Sequence, residues 1–432
     1  MEDTPRPINI PQARTRFLFD EDWIVVIIGF IIIVLALAGI SPLIPANNWS
    51  SSEELLNKIF TTSNLMLMLI QFLFVFLLAG TGAYLTGKPL KNYIIVFPVV
   101  YFVTVIALVL AGNRQVKAFN LEAVIFSLSI GLIIGNVFKI PAWFRAALST
   151  ELFVKTGLVL LGTSIIFSDI LKAGFYGLLQ AFVVVIAVWY FAYWLCKKLK
   201  VDDELTMMIA SAVSICGVSA AIATAGAIKG DTKKLSYVIS LVLITAIPMM
   251  IGMPYIAKYL GLSQEVTGAW LGGSIDTTGA VVASGTLVGE TALKVSTIVK
   301  FSQNVLLGLA AFAISVYWTY IKNSMDKNQP AKPTWRVIWE RFPKFVLGFV
   351  GASLLFSFFL DATAIREVKE GLKNIQSLWF ALAFTSIGLE TNFSDLLKAN
   401  NRKPLYAFLI AQFFNILITL LVAYLLFRNH TV

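Results

Sequence analysis

Gly272-Gly273-Ser274-Ile275-Asp276-Thr277-Thr278-Gly279-Ala280-Val281-Val282-Ala283-Ser284-Gly285 sets a single carboxylate among glycines and hydroxyls, and no other charge lies between Glu265 and Glu290. A lone carboxylate in a bilayer costs at least ~2.5–3.5 kcal/mol on insertion scales, so it needs a partner or a function. The segment is too rich in Gly and Ser for a plain lipid-facing helix. It predicts a helix broken near the membrane midplane, where Asp276 binds a coupling proton or sodium, pairs with a lysine, or caps a half-helix. A second break is predicted at Ser214-Ile215-Cys216-Gly217-Val218-Ser219-Ala220-Ala221. There a new half-helix offers backbone N–H groups and the hydroxyls of Ser214 and Ser219 to an anion, with close helix packing as the competing explanation.

The rest of the chain supports a membrane setting. Of 432 residues, 58% are hydrophobic and 13% charged, against about 45–50% and about 25% in soluble domains. Mean hydropathy is +0.81. The formal charge of +10 fits Lys and Arg in membrane loops better than nucleic-acid binding. Two cysteines, Cys196 and Cys216, make no disulfide framework, and the single histidine, His430, lies near the end. A histidine-based metal site or general base is therefore excluded, and no cofactor is implied. No Gly-x-Ser-x-Gly and no Walker lysine motif nominates an enzyme or a primary pump. The polar N-terminus, with Arg6, Arg14 and Arg16 before Trp23, does not read as a cleaved signal peptide.

Windows of about twenty apolar residues predict an all-α polytopic membrane protein of about 11–13 transmembrane helices, with inverted repeats and discontinuous helices near the midplane. Thirteen spans are placed near 22–40, 65–86, 93–111, 121–138, 149–167, 174–195, 205–227, 235–257, 266–288, 295–320, 345–360, 377–389 and 405–427. The twelfth is short unless it reaches back through Leu372. With the N-terminus inside, cytoplasmic segments carry twenty Lys and Arg against twelve opposite, which favours N-terminus in and C-terminus out. Most of that margin comes from the loop 321–344. Residues 1–21 are read as a cytoplasmic segment, 22–92 as additional membrane helices and 93–427 as the transporter core.

Phe167-Ser168-Asp169-Ile170-Leu171-Lys172-Ala173 recurs, with Leu for Ile, as Phe393-Ser394-Asp395-Leu396-Leu397-Lys398-Ala399. Each copy follows an apolar span containing Thr-Ser-Ile, Thr163–Ile165 and Thr385–Ile387. The copies are separated by an odd number of crossings, which places them on opposite sides as in the inverted repeats of secondary transporters. A shared interfacial helix cap is the alternative.

Polar residues in the tenth span complete the candidates. Lys300 and Asn304 share a face by i,i+4 spacing, and Lys300 either snorkels to the interface or faces the cavity as part of an anion site. The substrate-binding candidates are Ser214, Cys216, Gly217, Ser219, Ser274, Thr277, Thr278, Lys300 and Asn304, with Asp276 as the coupling-ion candidate. Glu151 and Lys155 in span five are secondary candidates that also fit mutual neutralisation.

The run Gly131-Leu132-Ile133-Ile134-Gly135-Asn136, the stretch Lys155 to Phe167, the Ser214–Ala221 break and the Val281-Val282-Ala283-Ser284-Gly285 tail, in that order, resemble the YeiH family. The likeness covers roughly residues 93–427. It implies a multi-pass inner-membrane protein of the wider cation/proton antiporter and bile-acid symporter type, with sulfate export the role ascribed to the family. Many members carry HEVAQVVAAG where this chain has Asp276 to Gly285, so Asp276 stands for a histidine and Thr277 for a glutamate. Spans one and two look like additions to the family core, as scaffold or homodimer contact.

The leading expectation is a secondary active transporter of a small anion, sulfate or a related sulfur oxyanion by resemblance, coupled to H+ or Na+. A cation/proton antiporter using Asp276, or an anion channel, is the alternative. The expected partners are that small anion, the coupling ion and the lipid bilayer, with no nucleic acid.

Overall fold

Residues 20–40, 44–118, 123–228, 230–318, 339, 342–391 and 402–429 are described by a computed structural model. Among them every regular element is helical. The helices longer than two turns are α1 (Glu21–Leu37), α2 (Thr62–Leu85), α3 (Leu90–Ala111), α4 (Ala123–Val137), α5 (Thr150–Leu161), α6 (Phe167–Lys198), α7 (Asp203–Ser211), α8 (Val218–Ile228), α9 (Thr232–Tyr259), α10 (Gln264–Ser274), α11 (Thr278–Val288), α12 (Glu290–Tyr317), α13 (Phe345–Leu354), α14 (Ala362–Glu390) and α15 (Lys403–Phe427). Seven segments are long and apolar enough to cross a bilayer by themselves. The twelfth predicted span reaches back well beyond Leu372, because Asp361 caps α14 by accepting from Ala364 N. The second copy of the Phe-Ser-Asp motif, 393–399, lies outside the described residues, as does most of the basic loop 321–344.

The two broken spans are helical, but neither crosses. Both are re-entrant hairpins, which corrects the expectation of discontinuous crossing helices. In the first, α7 and α8 meet again at their open end. Asp231 N donates to Glu204 Oε2 at 3.0 Å, and Lys234 Nζ pairs with Asp202 at 2.7 Å and Glu204 at 3.2 Å. The bond from Asp202 holds the Lys234 ammonium above its ordinary pKa. In the second, α10 and α11 return to the start of α12, where Ala292 N donates to Gln264 Oε1 at 3.4 Å. Gly272 and Gly285, one on each arm, both lie against Ser296; a Cβ on Gly272 would come within 2.4 Å of the Ser296 carbonyl. The physical reason is the contact that closes each open end; an arm of 11 residues rises about 16 Å, which takes each tip to about half the depth of a hydrocarbon core of about 30 Å.

The hairpins enter from opposite ends. Helix α12 starts at the mouth of the second hairpin, passes both tips near Lys300, and ends beside α7, where Met207, Ile314 and Tyr317 line one cleft with Tyr193. Helices α6 and α15 flank the same axis. Trp270 Nε1 donates to Ile416 O at 2.9 Å, and Gln180 Nε2 donates to Ala269 O at 2.7 Å.

A second group, α1–α5 with α13 and α14, packs against this unit. Gly131 and Gly388 bring α4 and α14 into backbone contact, and Thr104 and Thr385 share a hydrogen bond of 2.8 Å. Gly157 of α5 seats the ring of Phe380. Phe301 of α12 meets the rings of Phe345 and Phe349 at 5.4 and 5.0 Å between centroids.

Removing two crossings leaves eleven of the thirteen predicted segments to span the bilayer. Both lost crossings precede α13, so the start of α13 stays on the side of the start of α1, and Lys344 N accordingly donates to Asp22 Oδ2 at 2.8 Å. The segment holding Lys233 and Lys234 moves to that side and Lys258 moves away from it, which strengthens the positive-inside bias.

Single cysteines at Lys200 and Asp231 should therefore label with an impermeant thiol reagent from one face, and those at Lys258 and Glu290 from the other. Labelling of Lys200 and Asp231 positions from opposite faces would show that the α7–α8 segment crosses.

Candidate functional site

At each hairpin tip the chain turns in the interior of the bundle, so carbonyls at the ends of α7 and α10 lose their helical partners. Three side chains each bridge one tip to the other. Lys300 Nζ donates to Ile215 O and Ile275 O, both at 2.9 Å. Gln303 Nε2 donates to Ser214 O at 3.2 Å and Gly273 O at 3.0 Å. Asn415 Nδ2 donates to Val213 O at 3.0 Å and Ser274 O at 3.2 Å. Gln412 Nε2 adds a bond to Ser274 O at 2.9 Å. All four side chains are at most 3% exposed.

Gly217 makes the first turn possible. It sits at φ +61°, and an added Cβ would lie 2.7 Å from Val242 and 2.9 Å from Asp276 Cβ, so both backbone conformation and space require glycine.

This arrangement reassigns several sequence candidates. Lys300 does not face a cavity: its third N–H donates to Gln303 Oε1 at 3.0 Å, so all three donors are engaged. The hydroxyls of Ser214 and Ser274 turn back onto their own helices, donating to Ala210 O and Trp270 O at 2.7 Å each, and it is their carbonyls that serve the junction. Asp276 is 2% exposed and interacts with Lys300 and Gln412. Its Oδ2 has no hydrogen-bond partner among the described residues.

The remaining candidates line a cavity beside the tips. Two adjoining lobes of about 270 and about 320 Å³ share Glu151, Cys216, Ser219 and Thr278. The larger also takes in Thr277, and the smaller takes in Lys155 and Asn304. The N-termini of α8 and α11 both reach this space through Val218–Ser219 and Thr278–Gly279. First-turn amides have no intrahelical acceptor, and each helix start carries about half a positive charge. Thr277 caps α11 by accepting from Ala280 N at 3.3 Å. Asn304 Nδ2 donates to Thr278 Oγ1 at 3.4 Å.

The opposite wall is charged. Lys155 Nζ lies 3.0 Å from Asp22, 3.2 Å from Glu21 and 3.7 Å from Glu151, so the expected i,i+4 pair forms within a larger cluster. Lys344 pairs with Asp20 at 3.2 Å. Lys88 Nζ donates to Leu148 O at 2.5 Å, and Glu390 lines the same lobe. Sequence reasoning missed Gln412, Asn415, Lys88 and Glu390. The first two carried a usable signal, two amides three residues apart in an otherwise apolar span.

If the junction holds the tips, Lys300→Met, which strands the Ile215 and Ile275 carbonyls beside Asp276, should lower stability in detergent by about 3 kcal/mol or more. Gly217→Ala should cost about 2 kcal/mol. Thermal unfolding of the purified variants checks both, and wild-type stability in Lys300→Met would remove the junction from its structural role.

Comparison with known proteins places this architecture. The profile of the family described as Conserved hypothetical protein 698 matches residues 95–407. The UPF0324 membrane protein RB9488 of Rhodopirellula baltica is 40% identical over 368 residues, covering 83% of this chain and 67% of that protein. A UPF0324 membrane protein of Nitratidesulfovibrio vulgaris is 38% identical over 378 residues, 85% of this chain and 64% of the relative. The UPF0324 membrane protein NE0724 of Nitrosomonas europaea is 29% identical, with 79% of each chain covered. The chain thus spans about two thirds of the length of the first two relatives. No solved structure matches. By profile and by identity over most of its length, this chain belongs to the YeiH, or UPF0324, family of membrane proteins and is a multi-pass member of it.

Proposed function

We propose that the protein is a secondary active transporter of a small anion, a sulfur oxyanion by family resemblance, driven by H+ or Na+ across the inner membrane. The observation that carries this reading is the convergence of two helix N-termini, from hairpins entering at opposite ends, on one polar cavity at mid-depth. Two such dipole ends favour an anion and disfavour a cation. Broken or re-entrant helices meeting at the midplane are the usual construction of a transport site.

The hairpins also supply an inverted relation of their own. Helices α8 and α11 have 11 residues each, and the helices that follow, α9 and α12, have 28 each. Ser214-Ile215 and Ser274-Ile275 occupy corresponding places at the two tips. Two equivalent units inserted from opposite ends suit alternating access better than a fixed pore. A cation antiporter centred on Asp276 is less well supported, since Asp276 lines neither lobe and already interacts with Lys300.

Purified protein in liposomes should take up anions saturably, and an imposed pH or sodium gradient should drive accumulation. Thr278→Val and Ser219→Ala should each raise the half-saturating anion concentration by roughly 3–10-fold with normal insertion. Uptake of cations alone, or flux that does not saturate, would contradict the reading.

A further inference from the structure

Resting on the anion reading above, we propose that this cavity takes a singly charged oxyanion and discriminates against a dianion. The two N-termini each bring about half an elementary charge, which together balance about one negative charge. Among the described residues of the lining, every lysine ammonium already donates to a protein acceptor. Among the described residues the two lobes present five carboxyl groups, Asp20, Glu21, Asp22, Glu151 and Glu390, against three lysines.

Each of those lysines is already engaged. Lys155 is held by Glu21, Asp22 and Glu151, Lys344 by Asp20, and Lys88 by the Leu148 carbonyl and the Ser149 hydroxyl. Lys300, the cation nearest the tips, has its donors on Ile215 O, Ile275 O and Gln303. A second negative charge on the ligand would meet a lining in which carboxyl groups outnumber lysines five to three, and a charge buried without a partner is strongly disfavoured.

A separate observation indicates a ligand at this place. Asn304 is 6% exposed and lines the smaller lobe, yet its Oδ1 has no hydrogen-bond partner. Buried amides are almost always satisfied. Exchanging O and N would let Thr278 Oγ1 donate to Oδ1 and leave both Nδ2 hydrogens without an acceptor in the protein, so a small rotation of this side chain, which lines the smaller lobe, would bring a donor to an oxyanion. Asn304 therefore serves as a neutral donor beside the two helix starts, a site built from dipoles with no formal charge of its own.

Methanesulfonate and sulfate separate the alternatives, because they share a tetrahedral sulfur and three oxygens and differ by one charge at any neutral pH. Binding of each to the purified full-length protein, measured by calorimetry, should favour methanesulfonate by about tenfold or more, equivalent to about 1.4 kcal/mol. Glu151→Gln, which removes one carboxylate shared by both lobes, should narrow that ratio severalfold by improving sulfate binding. Sulfate binding as tightly as methanesulfonate would overturn the charge inference while leaving the anion reading intact. Failure of both to bind would remove the anion reading and the inference with it.

Discussion

In a bilayer no water reaches the backbone, so every N–H and C=O at membrane depth needs a partner inside the protein. Two hairpins that turn at mid-depth violate that requirement twice, once at each tip. The structure resolves both violations with one set of side chains: Lys300 and Gln303 on α12 and Asn415 on α15 each donate to a carbonyl of one tip and a carbonyl of the other. The tips are consequently tied to each other and to two long helices. Removing Lys300 or Gln303 exposes two carbonyls at once, so the hairpins depend on helices distant in sequence.

With the carbonyl ends of α7 and α10 held in the junction, the amide ends of α8 and α11 are left to face outward from it. That is why the polar cavity sits where it does, and why its tip-facing wall is electropositive without a lysine in it. The buried cation of the junction neutralises carbonyl dipoles and Asp276, whereas Lys155 and Lys344 of the far wall are matched against carboxylates. Structural charge and recognition are thereby separated by a few residues along the same helix, with Lys300 on one side and Asn304 on the other.

Much of this was legible in the sequence. The thirteen apolar segments, the breaks around Gly217 and Asp276, and the Glu151–Lys155 pairing all follow from composition and spacing, and Cys216, Ser219, Thr277, Thr278 and Asn304 do line the cavity. Hydropathy could not distinguish a broken crossing helix from a re-entrant hairpin, since both need two short apolar arms and a Gly-rich break. The deciding contacts, Glu204 with Asp231 and Gln264 with Ala292, are made by polar groups at the loop ends. The role of Lys300 was hidden for a related reason. A lysine in a span suggests a bound anion or a carboxylate partner, but here its acceptors are backbone carbonyls, which carry no sequence signature.

Perrhenate, a singly charged tetrahedral oxyanion with a strong anomalous signal, tests the central claim most directly. Crystals of the protein soaked in it should show an anomalous peak within hydrogen-bonding distance of the Val218–Ser219 and Thr278–Gly279 amides, near Asn304, and that peak should weaken in Thr278→Val. An ordered peak only at the surface, or one beside Lys300 in an opened junction, would contradict an anion site built on the two helix starts.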